Sequence, residues 1–180
     1  MFEIFKFLFE KYPDRIDPNS DDPDIREVAE LLKKRSLNPF AQSIHVRMVD
    51  AGSPNDVELE EQMMMNPRVD AERFGIHYEA SPRHADVIIV TGPVTMNMKL
   101  ALEKSYDAMA DPRVVVAAGD GAVTGFPYQG SYALAGSGKV EDTVPVDVNV
   151  PGNPPNPYQL LAGLLKAGMI LEEKSKKMRK

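Results

Sequence analysis

The chain has 180 residues, 43% of them hydrophobic, with a formal charge of −6 and an isoelectric point near 5.1. That length fits one α/β domain with a little left over, enough to bury about 70% of the surface its unfolded chain exposes, and the acidic balance argues against a nucleic-acid partner, which needs a dominant basic face. The absence of cysteine removes disulfides, thiolate zinc sites and ordinary iron–sulfur ligand sets, while His45, His77 and His84 lack the spacing of a histidine metal site.

The opening stretch, MFEIFKFLFEKYPDR, with apolar residues Phe2, Ile4, Phe5, Phe7, Leu8 and Phe9, reads as a short helix with an aromatic face, stopped by Pro13. Glu3 and Lys6 interrupt it, so it is too short and too charged for an export signal. Its face either packs on the domain or a partner, or dips into a membrane interface. No apolar run approaches the roughly 20 residues needed to span a bilayer. Residues 14–23 are linker-like, and Asp24 is placed to cap a helix through about Arg35 that buries Ile25, Val28, Ala29, Leu31 and Leu32. Residues 1–40 thus read as a helical extension and 41–180 as the main domain.

Three segments read as strands. SIHVRMV (43–49) alternates, whereas HADVIIVTG (84–92) and RVVVAAG (113–119) end in unbroken apolar runs. Continuous apolar strands are buried on both faces, which is the mark of a parallel sheet. Between the second and third, Met96, Leu100, Ala101, Tyr106 and Met109 recur at helical spacing behind Thr95 as cap, giving a right-handed βαβ crossover. A fourth short strand lies in VPVDVNV (144–150), and a final helix of about 158–178 buries Leu160, Leu161, Leu164, Leu165 and Ile170. The methionines at 63–65, 96, 98 and 109 read as flexible core filler. The basic tail, KSKKMRK, is either a solvated helix end or a contact for a partner or membrane surface. The expected fold is a flavodoxin-like three-layer α/β sandwich with a mainly parallel sheet of about four strands.

Ligand sites in such a sheet lie beyond the carboxyl ends of the strands. Four loops converge there: 50–56, 91–95, 119–132, and the proline-rich VPGNPPNP (150–157), which presents Asn153. FGIHYEASPRHADVIIVTGPVT, AAGDGAVTG and VPVDVNVPGNPP resemble the 20-kDa iron–sulfur subunit of complex I and, more closely, the small subunit of energy-converting membrane-bound nickel–iron hydrogenases, over about residues 43–170. That family carries a 4Fe–4S cluster on four cysteines from these loops. Its first loop reads GSCNGCD; here Pro54 replaces one cysteine and a two-residue deletion removes another. The position of the third ligand, in GDC, is Gly121, and that of the fourth, in VPGCPP, is Asn153. Engineered ligand removal would place Ser or Ala and keep the spacing, so the pattern reads as a natural cluster-less relative.

Neither Pro nor Gly offers a side-chain donor, and a lone amide cannot hold iron. The expectation is therefore no cofactor and no electron relay. What the resemblance retains is a docking role: a large subunit of hydrogenase-like or complex I-like type, with membrane-arm and ferredoxin-like subunits nearby and peripheral association on the cytoplasmic face. The resemblance puts Arg83, His84 and Asp120 at the partner interface; in the plainer reading Asp86 or backbone satisfies the first two and Asp120 orients loop glycines. Asp50, Asp56, Glu58 and Thr124 add polar groups near the loops, with Asp56 expected to cap the following helix. Two other classes stand beside the scaffold: a small-molecule-binding or regulatory module using the emptied cavity, with Thr91, Gly92 and Thr95 as donors, and an enzyme using the acids with a metal from solution. GSGK (136–139) reads as a flexible turn. A collapse of the emptied site is expected, with the loops touching and Asn153 bonded to backbone of the 50s or 120s loop.

Overall fold

The computed structural model describes residues 21–36 and 43–178; the predicted opening helix and residues 179–180 lie outside them. Helix α1 (Pro23–Ser36) starts with proline at its first position. Its cap is Asp22, whose Oδ1 accepts from Asp24 N at 3.0 Å. Asp24 instead sits in the first turn, where its Oδ2 accepts from Asn156 Nδ2 at 2.7 Å. The order continues through β1 (Ile44–Asp50), α2 (Asp56–Met64), β2 (Ile76–Tyr78), β3 (Val87–Thr91), α3 (Met96–Asp107), β4 (Val114–Ala118), α4 (Asp120–Thr124), β5 (Val148–Val150) and α5 (Pro157–Met178).

The five strands among the described residues are parallel, in the order β2-β1-β3-β4-β5, which is the flavodoxin-like arrangement. The sheet has one strand more than the four expected. β2 escapes a reading by apolar runs because it is three residues long, IHY, and only its first residue is fully buried. β3 and β4 are buried along their whole length. Val87 and Ile89 point into a layer shared with α1, α2 and α5, through Val28, Val57, Leu161 and Leu164. Ile88 and Val90 point into the opposite layer with Leu102 of α3. Val28 and Leu31 of α1 belong to the first core, against α5.

Topology fixes where a site can form. From β1 the chain crosses to β2 with α2 on one face, whereas from β3 it crosses to β4 in the opposite direction with α3 on the other face. Right-handed crossovers in opposite directions leave a crevice between the carboxyl ends of β1 and β3. The segment after α4 folds back over it, held by Val94 N donating to Gly138 O at 2.8 Å and Met96 N to Ala133 O at 2.8 Å.

Candidate functional site: a hollow at the carboxyl edge of the sheet

The loops after β1 and β3 are stitched together. Asp50 Oδ1 accepts from the backbone N–H groups of Gly52 and Ser53, both at 2.8 Å, which turns the chain sharply off β1. The turn presses Ser53 against Gly92, where φ is +68° and a Cβ would lie 2.2 Å from Ser53 N, so only glycine fits. Thr95 Oγ1 donates to Ala51 O at 3.1 Å and accepts from Met98 N at 3.3 Å, capping α3 as predicted. Beneath, Glu58 is buried and accepts from Ser53 Oγ at 2.6 Å and from Thr91 Oγ1.

The opposite wall is a second stitched pair. Gly119 N donates to Val150 O at 2.8 Å and Asp120 N to Gly152 O at 2.7 Å. Gly152 N returns a bond to Asp120 Oδ1 at 2.9 Å, so Asp120 does orient a loop glycine, that of the proline loop. Gly121 lies against the 90s loop: a Cβ there would stand 2.9 Å from Pro93 Cδ. Thr124 donates its hydroxyl to Asp120 O at 2.7 Å.

Between the walls is a hollow of about 180 Å³, lined by Pro54, Asp56, Val57, Gly92, Pro93, Asp120, Gly121 and Asn153, with Phe126 and Tyr128 on its rim. The loops therefore touch in pairs without closing the centre. Asn153 overturns the expected collapse: it is exposed and makes no side-chain hydrogen bond among the described residues. The cross-link it was expected to supply is made by Asp120 to Gly152 instead, which leaves the amide at the edge.

The structure brings Pro54, Gly121, Asn153 and Asp120 around one hollow. It does not bring Arg83 and His84 there. Both are exposed in a short 3-10 turn (Pro82–His84) before β3, at the amino end of the sheet, and Asp86 Oδ2 accepts from His45 N at 3.1 Å. Asp56 Oδ1 accepts from Val57 N at 2.8 Å and Ser53 Oγ at 3.3 Å, so it serves the start of α2 from its first turn. The hydroxyls of Thr91 and Thr95 are engaged within the fold; Gly92 lines the hollow.

Two features escaped the reading of the sequence. Phe126 and Tyr128 are about half exposed, and Tyr132, Met96 and Leu100 are exposed beyond them; the aromatic content of GFPYQGSY was the available signal. The second is the burial of Glu58 and Glu61, which a charged helix sequence, DVELEEQMM, gives no reason to expect.

An iron–sulfur cluster does not fit this donor set. Pro54 and Gly121 contribute no donor atom, Asn153 contributes a neutral amide, and there is no thiolate in the chain. Among the described residues no three His, Asp or Glu side chains gather as a metal site, and no helix is long and apolar enough to cross a membrane.

Residues 40–167 match the family model described as NADH ubiquinone oxidoreductase, 20 Kd subunit. The chain is 37% identical to an uncharacterised protein of Methanocaldococcus jannaschii, over 76% of this chain and 86% of that one. It is 36% identical to the probable membrane-bound hydrogenase subunit mbhJ of Pyrococcus furiosus, over 79% and 81%. With formate hydrogenlyase subunit 7 of Escherichia coli it shares 37% identity over 79% of this chain and 55% of that protein, so it spans about half that relative's length. Among solved structures, a chain of the archaeal membrane-bound sulfane sulfur reductase superposes with a TM-score of 0.63 at 26% identity, covering 82% of this chain and 77% of that one. Matched along most of its length and built on the expected sheet, the chain belongs to the NADH ubiquinone oxidoreductase 20 kDa subunit family, as a member with no cysteine from which to build a cluster.

Proposed function

We propose that the protein is a non-catalytic subunit of a membrane-associated hydrogenase-like or complex I-like assembly, docking a large subunit through the carboxyl edge of its sheet and carrying no electrons itself. The observation that carries this is a preserved loop frame whose cluster positions, Pro54, Gly121 and Asn153, hold no thiolate. Its lining agrees: Phe126 and Tyr128 line the hollow with about half of each side chain exposed, the kind of aromatic surface a partner can cover. In this reading membrane-arm and ferredoxin-like subunits are further neighbours, Arg83 and His84 serve a contact at the far end of the domain, and association with the cytoplasmic face comes through the complex. A tagged copy purified from native membranes should bring down a hydrogenase-like large subunit. Recovery as a free monomer under mild detergent refutes the scaffold role.

A second reading has its own support. The hollow is open and Asn153 is free at its edge, as expected of a small-molecule or regulatory site that took over the space. It requires a ligand-induced rise in melting temperature or a ligand that copurifies. A chain that binds no small molecule and copurifies with a large subunit excludes it.

A further inference from the structure

Glu61 lies on the inner face of α2, 3% exposed, and among the described residues neither carboxylate oxygen has a well-formed hydrogen bond. Its neighbour from β2 is Tyr78, whose hydroxyl is likewise buried without a well-formed bond. An orphaned carboxylate in an apolar layer is rare, because burial without a partner carries the full desolvation cost. Three residues earlier, and so on the same helix face, the buried Glu58 is fully engaged: Ser53 and Thr91 both donate to it. Glu58 thereby ties α2, the first loop and the end of β3 into one piece, and that piece is a wall of the hollow.

We propose that Glu61 and Glu58 form a pH-sensitive latch: with Glu61 protonated α2 stays seated and Glu58 clasps Ser53 and Thr91, whereas ionised Glu61 unseats the start of the helix, frees the first loop and reshapes the hollow. Burial, with a smaller contribution from the Glu58 charge and against the lowering effect of Tyr78, pushes Glu61 up to about 7, so the proton is exchanged near neutrality. Burial also raises Tyr78, which therefore stays a neutral phenol. The groups around the latch are Glu58 on the same helix, Tyr78 from β2 and Asp50 at the end of β1, which is occupied by Gly52 and Ser53. α5, packed on α2, contributes leucines to this layer, with Tyr158 as a titratable member of the same cluster. α2 is well suited to move: it has nine residues, its cap residue Asn55 sits at φ 73° without a side-chain cap bond, and Leu59 and Met63 leave its outer face uncovered. The latch operates whether the hollow seats a protein or a small molecule.

The chain contains no tryptophan, so Phe126→Trp places a single tryptophan, excited selectively at about 295 nm, on the rim of the hollow. In that background the emission of the full-length chain should change with a one-proton midpoint near neutrality while circular dichroism stays constant. Glu61→Gln, and separately Glu61→Met in case the amide misfolds, should abolish the transition. A flat profile in the Phe126→Trp parent, or a transition that persists in either Glu61 variant, overturns the latch.

Discussion

Gly163 sits in the second turn of α5, where it faces the edge strand β5. A Cβ built on it lies 2.3 Å from Val150 Cγ2 and 3.7 Å from Val150 Cβ. Gly163→Ala gains about 1 kcal/mol of helix propensity, but pays an overpacking cost of about 1–3 kcal/mol. Since carbon pairs rest at about 3.5–4.0 Å, the overlap puts that cost at its upper end, for a net loss of about 1–2 kcal/mol. Val150→Ala alone deletes two buried methyl groups, worth about 0.8 kcal/mol each, and with the cavity left behind loses about 2 kcal/mol. In the double variant the new methyl occupies the space left by Cγ2, so the total loss should be only about 1 kcal/mol, a coupling of about 2–3 kcal/mol. Urea unfolding of all four proteins at a common m-value measures it. Losses that add to within about 0.5 kcal/mol refute the contact. The test bears on the site as well as on the core, because Val150 O accepts from Gly119 N and leads into the proline loop. Pushing β5 outward therefore moves a wall of the hollow.

Three further outcomes are expected. Asn153→Ala should shift stability by no more than about 0.5 kcal/mol, since the side chain is exposed and unbonded; a larger loss by thermal melting shows that it is held in solution. Glu61 has its folded-state pKa raised to about 7 from 4.5, so the folded chain keeps a proton that the unfolded chain has released. Stability should therefore fall as pH rises from about 4.5 to about 7 and level off above, by about 3 kcal/mol in total, and Glu61→Gln should flatten that slope in denaturant titrations at several pH values. Anaerobic treatment with iron and sulfide should leave the chain colourless, and Asn153→Cys should remain so because one thiolate cannot hold a four-iron cluster; stoichiometric iron with a stable visible absorbance in either protein refutes the donor-set argument.

Local rules made much of this protein legible from sequence. The runs VIIVT and VVVAA announce buried parallel strands because both faces must be apolar when helices cover both sides. The Thr95 cap and the long final helix follow from spacing and capping chemistry alone. That the chain offers no thiolate for an iron–sulfur cluster was equally plain, since ligation is a property of donor atoms. Local rules fail where a residue's role depends on distant neighbours. β2 is a strand because β1 offers it a free edge, and three residues, one buried and two half-buried, carry no periodicity to say so. Glu58 and Glu61 look like a solvated helix face until the sheet, β2 and α5 close over them. Asn153, framed by prolines, looked like the group that would seal the emptied site, yet Asp120 made that bond first. Composition and short-range geometry determined the elements, their order and the missing ligands; which polar group meets which across a crevice is a matter of ångströms between segments far apart in the chain, and only the folded structure decided it.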